Sequence, residues 1–398
     1  MRTLLFAALT VSAPLAWSAP DIYLTWQRDP TTTMTICWHD AQDGPDKISW
    51  RRQGSAAWQT AEASRQALSH TDRIVAQVEL TALSPGTTYE FRLGVDDTIG
   101  RFRTLPAKLD RPLTFVEGGD PQDGPVMEQM MRLAASRDPD FAVIGGDLTF
   151  DDGLPEHAGR VERFFRALGR ELVASDGRHI PVIVCLGNHD VNRNEQWILN
   201  DNALPPDAAA RRTLAPYFLA SWPFPGERGY GVLDVGDYLS FVLLDTNHLN
   251  AVDGAQVEWL REILAARRNI PHLFPVYHVP AYPGARDMND ALSRRIRDKW
   301  TPLFDQAGIR LAFEHHEHAF KVTHPMRGGK KSDNGIVYLG GGAMGAELRA
   351  PRDPSHAPHL AKTAKVHHLN EVTLEPTKRT AITLDIDGNE IWRVEQSR

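Results

Sequence analysis

Apolar residues recur at every second position through the first quarter of the chain and then change period. Met34, Ile36 and Trp38 alternate with polar neighbours, as do Ile74, Ala76, Val78 and Leu80, and then Tyr89, Phe91 and Leu93. That period predicts half-buried strands, and no amphipathic run of helical length interrupts them, so residues 20–106 are expected to form a small all-β sandwich. The prolines and mixed charges of RTLPAKLDRP (Arg103 to Pro112) mark a linker. Beyond it, short apolar runs (113–116, 141–144, 181–186, 239–244, 272–277, 309–313 and 336–339) alternate with helical periodicity. Val126, Met130, Leu133 and Ala134 would share one helix face, and Phe164, Phe165 and Leu168 another; 257–265 and 294–304 are two more helices. Residues 107–346 therefore read as a layered α/β domain. EVTLE, TAITLDIDG and IWRVE make 347–398 a hairpin-like β extension packing on it, with DIDGN as a turn.

A length of 398 residues fits two or three domains, and an apolar fraction of 42% allows sizeable cores. Residues 1–19 read as a secretory signal peptide, with Arg2 as the basic start, Leu4 to Trp17 as the apolar stretch, and Ser18 and Ala19 as the cleavage zone. The run is short for a membrane span and Pro14 interrupts it, so a secreted or periplasmic protein with no membrane span is expected. The net charge of −7 argues against sequence-independent nucleic-acid binding, so attraction for an anionic substrate must be local. Cys37 and Cys185, the two cysteines, sit in apolar strand patterns of different domains and read as buried thiols. Oligomeric state is not legible.

Chemistry collects where strands end. GGDPQDG places Asp120 and Gln122 beyond one strand, GGDLTFDDG places Asp147 beyond the next, and VCLGNHD places Asn188, His189 and Asp190 beyond a third. VYHVP supplies His278 and FEHHEHAF supplies His316 and His318. In extended backbone, residues two apart point the same way, so Asp120/Gln122 and His316/His318 are pincers. Taken singly, a Gly-Asp is usually a turn, an H-x-H a surface feature and a strand-end histidine a packed one. Five in succession, each of hard or borderline donor type, point to a dinuclear metal site. His39, His70, His157, His179, His272 and His324 read as surface or packing residues. His248 and Asp245, in FVLLDTNH, are the remaining candidates for a place beside the site.

LSPGTTYEF, a Pro-Gly turn followed by Tyr89, fits the tyrosine corner of an immunoglobulin-like sandwich of fibronectin type III character. The order D-x-Q, GD, GNHD, H and H-x-H resembles the calcineurin-like metallophosphoesterases. TWQRDPTTTMTICW, LSPGTTYEFRLG and FRTLP resemble the fibronectin-like leader of purple acid phosphatases, and HEHAFKVTHP resembles their last metal motif. The resemblance implies two β-sheets flanked by helices behind the leader sandwich, and two divalent metal ions (Fe, Mn, Zn or Mg). Asp120, Gln122, Asp147 and His318 would hold one; Asp147, Asn188, His278 and His316 would hold the other, with Asp147 bridging and His189 facing the substrate phosphoryl group. Three positions depart from the pattern. Phe150 stands where purple acid phosphatases carry the tyrosine that binds ferric iron and gives the colour, so that band is expected to be absent. Gln122 replaces the commoner histidine and His315 the usual glycine. The paired histidines of some plant enzymes are missing, leaving Arg286 as the nearest basic phosphate contact.

Two divalent cations bring four positive charges and the carboxylates of Asp120 and Asp147 remove two, leaving a surplus of about two that favours phosphate. Metals of this kind lower the pKa of bound water from 15.7 to about 7. The expected activity is hydrolysis of a small phosphorylated substrate, as an acid-phosphatase-like phosphomonoesterase, by in-line attack of a hydroxide held by the dinuclear centre. His189 would assist the leaving oxygen, oriented by Asp190 or Asp151. A phosphodiesterase on the same residues, and a non-catalytic exported binding protein with a vestigial site, are the rival readings.

Overall fold

The computed structural model describes residues 20–94, 98–193, 200 and 204–397; the expected leader peptide lies outside the described residues. Strands Asp21–Thr25, Met34–Ala41, Arg73–Leu80 and Ser64–Ala67 pair in that order as one sheet. Gln59–Glu62, Lys47–Arg52, Thr88–Leu93 and Gly100–Arg103 form the other. The alternating apolar residues face inward, Ile36, Trp38, Ala76 and Val78 meeting Ile48, Phe91, Leu93 and Phe102. Tyr89 Oη accepts the Ser84 N–H at 2.8 Å, which closes the tyrosine corner.

Two larger sheets follow. In the first, Val182–Val184, Phe141–Ile144 and Leu113–Gly118 run parallel. In the second, Leu239–Leu244, His272–Tyr277, Leu311–Glu314 and Val337–Gly340 do the same. These segments are mostly apolar because both faces are covered. Between the sheets lies a seam of phenylalanines: Phe115 stacks on Phe141 at 5.1 Å and meets Phe241 edge-on at 5.3 Å. Helices Pro125–Ser136 and Ala158–Glu171 cover the outer face of the first sheet through Met130, Met131, Phe164 and Leu168. Ala255–Ala266 and Ala291–Ala307 cover the second through Leu260, Ile296 and Trp300. The architecture is a sandwich of two sheets flanked by helices, helix–sheet–sheet–helix, preceded by an all-β domain.

The C-terminal residues do more than pack on this domain. His368–Glu375 zips antiparallel onto Leu113–Gly118 and carries two further strands beside it, while Leu360–Ala364 pairs with Phe320–Thr323 in the other sheet. Val372 and Leu374 alternate inward and are fully buried. Parallel strands within each sheet align their carboxyl ends, so the five polar motifs emerge at strand exits of the two packed sheets. Among the described residues, no helix is long and apolar enough to cross a membrane.

Candidate metal centre

Each motif begins where an apolar strand ends, and the backbone there is bent hard. Asp120, Gln122, Asp147, Phe150, Asp152, His316 and His318 all hold left-handed backbone, with φ between 52° and 72°. For residues with a Cβ this conformation costs roughly 1–3 kcal/mol each and clusters at functional sites. Gly187, before Asn188, has an ordinary φ of −112°, but a Cβ there would lie 2.2 Å from the Asp147 amide nitrogen. Glycine is required at that point for the close approach of two strand exits.

The loops bring together side chains 198 positions apart in the chain. Asp147 Oδ2 lies 3.1 Å from His278 Nε2, and Asp120 Oδ1 lies 3.2 Å from His318 Nε2. His278 Nε2 is also 3.0 Å from Asn188 Oδ1 and 3.1 Å from His316 Nδ1. The donors Asp147, His278 and His316, and separately Asp120, Asp147 and His318, could each hold a cation, all their ligand atoms lying within 4.8 Å of one another. Asp147 belongs to both groups. Gln122 occupies the half-buried turn two residues beyond Asp120.

Tautomers test whether a cation fits. His278 Nδ1 is 2.9 Å from the Gly145 carbonyl, and His318 Nδ1 is 3.1 Å from the Glu347 carbonyl. A carbonyl can only accept, so each ring donates from Nδ1, and a neutral ring turns a bare lone pair at Nε2 toward carboxylate oxygen. Asp120 Oδ1 and Asp147 Oδ2, the atoms so faced, are buried without a hydrogen-bond donor among the described residues. Lone pairs pointed at lone pairs in a dry site repel unless positive charge lies between them. Protons can supply part of it: although burial alone would lower the His278 pKa, the Asp147 and Asp120 carboxylates push it up to about 9. Divalent cations supply it better, and mixed imidazole, carboxylate and amide donors suit them. The residues fit the metals.

His189 stands apart from this cluster in the way expected of a group facing substrate. Its side chain keeps 35% exposure, whereas Asp120, Asp147 and His278 keep none. The ring stacks on Phe150 at 4.3 Å with a 17° interplanar angle, and the His189 amide donates to Asp147 Oδ1 at 2.7 Å. Its Nδ1 lies 2.6 Å from Asp152 Oδ1. Burial works against protonation of this ring, but the Asp147 and Asp152 carboxylates outweigh it and the pKa rises.

The orienting carboxylate is therefore Asp152, neither Asp190 nor Asp151. Asp190 is turned to backbone, accepting from the amides of Asp147 at 2.9 Å, Leu148 at 2.8 Å and Gly187 at 2.8 Å. Asp151 accepts from Thr149 Oγ1 and from the Gly153 amide. Both brace the loops instead of touching the imidazole. His157, read as an isolated residue, shares Asp152 through Nδ1 at 3.2 Å. Asp245 caps its own turn by accepting from the amides of His248, Leu249 and Asn250. His248 is buried with its ring 5.9 Å from that of His278, and its Nε2 lies 2.8 Å from Thr246 Oγ1.

His315 does not enter the centre. It turns back between the sheets, its Nδ1 donating to the Tyr277 carbonyl at 2.9 Å and its Nε2 meeting Glu117. Glu117 is held in turn by Asn370 Nδ2 at 2.7 Å. Space for this ring exists because residue 145 is glycine; a Cβ there would lie 1.8 Å from His315 Cε1. Arg286 reaches the rim, where its Nη1 donates to the His316 carbonyl at 2.9 Å. Arg349, absent from the motif reading because it lies beyond the last recognisable motif, donates to the same oxygen at 3.3 Å.

A family model described as "Calcineurin-like phosphoesterase" matches residues 119–320, and one described as "Purple acid Phosphatase, N-terminal domain" matches residues 19–104. The chain belongs to the calcineurin-like phosphoesterases, a metal-dependent family. Within it, this chain carries the leader domain of the purple acid phosphatases. An uncharacterized protein of Mycobacterium tuberculosis is 26% identical over 343 residues, 78% of this chain and 63% of that protein. Purple acid phosphatase 18 of Arabidopsis thaliana is 23% identical over 338 residues, 81% of this chain and 69% of its own length. The purple acid phosphatase PPD1 from yellow lupin seeds superposes with a TM-score of 0.79 at 14% identity, covering 96% of this chain and 74% of its own. PhoD superposes with a TM-score of 0.67, also at 14% identity, over 97% of this chain and 90% of its own. Identities that low establish the shared fold alone.

Proposed function

We propose that the chain is an exported phosphomonoesterase whose Asp120, Gln122, Asp147, Asn188, His278, His316 and His318 hold two divalent cations. The observation that carries this reading is the pair of Nε2 lone pairs, on His278 and His318, facing donor-free carboxylate oxygens. Bound there, two such ions would polarise a phosphoryl group and acidify water. The protein's own contribution is positional. Asp147, common to both donor groups, fixes their separation, and Asp190 fixes the backbone of Asp147, Leu148 and Gly187 through three N–H bonds. His189 donates Nδ1–H to Asp152; with the ring protonated, as its raised pKa favours, Nε2–H would donate to the phosphoryl oxygens and pass its proton to the departing alkoxide. Phe150 holds the ring flat from one side and contributes no ligand atom.

Metal content and turnover, measured together on p-nitrophenyl phosphate and bis(p-nitrophenyl) phosphate with Mn, Fe, Zn or Mg supplied, test the assignment. Asp147→Asn is expected to lose both ions and all activity. His189→Ala is expected to keep both ions and lose roughly 10²–10⁴-fold in kcat. An Asp147→Asn protein retaining two equivalents of metal would refute the bridging role. Faster cleavage of the diester would move the assignment to a phosphodiesterase. Export rests on residues 1–19 and is tested by the amino-terminal sequence of the mature protein.

A further inference from the structure

Outside the candidate metal centre, strands Met326–Arg327 and Lys330–Lys331 pair as a hairpin closed by Gly328 and Gly329, whose φ values are 54° and 73°. Two successive left-handed residues make the tight turn that holds such short strands in register. The hairpin walls a cavity of about 430 Å³, closed on its other sides by Met288, Arg352 and residues 356–359. A space of that size takes a small organic molecule.

The lining has one sign of charge. Lys330, Lys331 and Arg352 border the cavity, and no carboxylate does. Neither lysine has an ion-pair partner among the described residues. The nearby carboxylates are turned to backbone, Asp305 to the Gly328 amide at 2.9 Å and Asp353 to the Ser355 amide at 2.8 Å. Arg352 gives Nη2 to Asp287 at 3.1 Å, but its Nε is buried with no acceptor among the described residues. A buried donor left in that state is costly until an acceptor arrives. The residue is also held in place, its amide donating to the Gly284 carbonyl at 2.7 Å and its carbonyl accepting from Thr363 Oγ1 at 2.9 Å. Met288 and Met326 give the cavity an apolar wall that can adapt to an irregular partner. His359 adds an acceptor: Nε2 donates to the Pro283 carbonyl at 2.8 Å, and burial lowers the pKa of the ring, so a neutral Nδ1 keeps its lone pair.

We propose that this cavity binds a small organic dianion with an apolar body, at a site separate from the metal centre. The two lysines and the Arg352 Nε take its anionic groups, and the two methionines cover its body. An inorganic anion would leave the methionine wall wet, and a neutral aromatic molecule would leave the cationic donors unmet. The partition between the two sites is the segment from Pro283 to Asp287. On the cavity side Arg352 and His359 hold its carbonyls. On the other side its Ala285 amide donates to Glu317 and its Arg286 side chain to the His316 carbonyl.

The test is calorimetric titration of the full, metal-loaded chain with naphthalene-1,5-disulfonate, a dianion whose sulfonates are poor metal ligands. One equivalent is expected to bind, with sulfate and the neutral naphthalene-1,5-diol roughly tenfold weaker or worse at matched ionic strength. Replacing both lysines, Lys330→Met with Lys331→Met, should raise the disulfonate Kd roughly tenfold or more without shifting the melting temperature of the unliganded chain. Arg352→Lys, which keeps the charge and removes the Nε donor, should weaken binding by a smaller factor. Asp147→Asn should bind the disulfonate as the wild type does. Sulfate binding as tightly as the disulfonate would reduce the cavity to a bare patch of charge and overturn the proposal. Loss of binding in Asp147→Asn with the lysine variant unaffected would place the ligand on the metals and overturn it equally, as would no measurable heat at millimolar disulfonate.

Discussion

Asp152 holds His189 and is itself held in place: His157 takes the second carboxylate oxygen, and the Asp152 amide donates to the His189 carbonyl at 2.9 Å. Carboxylate, imidazole and backbone thus fix one another, and the imidazole cannot rotate without breaking the pair. Asp152→Asn keeps the shape but offers an amide that can donate as well as accept, so the tautomer of His189 is no longer imposed. The expected outcome is a fall in kcat of roughly 10²-fold or more with KM and bound metal little changed, and a much smaller effect for His157→Ala. Metal loss in Asp152→Asn would show that the residue supports the ligands instead. Sequence pattern exposed His189 but could not choose its partner. TFDDG places two aspartates side by side, and the left-handed φ at Phe150 and Asp152 defeats the simple alternation by which neighbours are assigned to faces. A turn with no period carries no directional signal.

Elements were more legible than the joints between them. Apolar runs bounded by Gly and Asp marked the parallel strands, and helical periodicity marked the four covering helices, because burial dictates both patterns. Buried charge hides from such reading. Glu314 in strand Leu311–Glu314 and Lys321 in strand Phe320–Thr323 pair with no exposure at all. Glu314 Oε1 also accepts from Tyr277 Oη at 2.6 Å and from the Ala281 amide at 2.7 Å, tying the loop after His278 to the strand before His316. Both of these donors remain when Lys321 is replaced, but the ammonium group does not, so the substitution leaves the buried Glu314 side chain without its ion-pair partner. Lys321→Met is expected to destabilise the protein by about 3–5 kcal/mol, read as a shift in the denaturant midpoint at fixed metal concentration. Adding Glu314→Gln should restore a large part of it. If the single substitution leaves the midpoint in place, the pair is dispensable and does not organise the two loops that carry the candidate ligands His278 and His316.

At the scale of the whole molecule, what the alternating pattern left open was how the sandwich sits on the rest. Tyr23 packs on Phe165 at 4.6 Å and Trp222 at 5.0 Å and donates to the Ser221 carbonyl at 2.6 Å, while Arg103 and Arg111 both reach Asp140. Two of the buried histidines, His39 and His368, lie at such seams. His39 sits between the sandwich and Phe165, its ring 4.1 Å from that phenyl group, and its Nδ1 has no acceptor among the described residues. His368 lies between the two large sheets, 5.4 Å from Phe320. Burial, assisted by Arg73, lowers the His39 pKa to about 3. Burial likewise outweighs the backbone acceptors of His368 and lowers it to about 4. Unfolded, both would titrate near 6.5. Between these values the unfolded chain binds protons that the folded chain refuses, so stability is held above about pH 6.5 and is lost as pH falls toward the folded pKa. Each histidine contributes a slope of about 1.4 kcal/mol per pH unit within its window. Urea midpoints followed from pH 7.5 to 4.5 should fall steeply, and His39→Gln and His368→Gln should each flatten the fall by about one such slope, even where they lower stability at neutral pH. Parallel curves for wild type and variants would mean that acid acts elsewhere, through the carboxylates or the metals, and that the seams stay closed as the histidines charge.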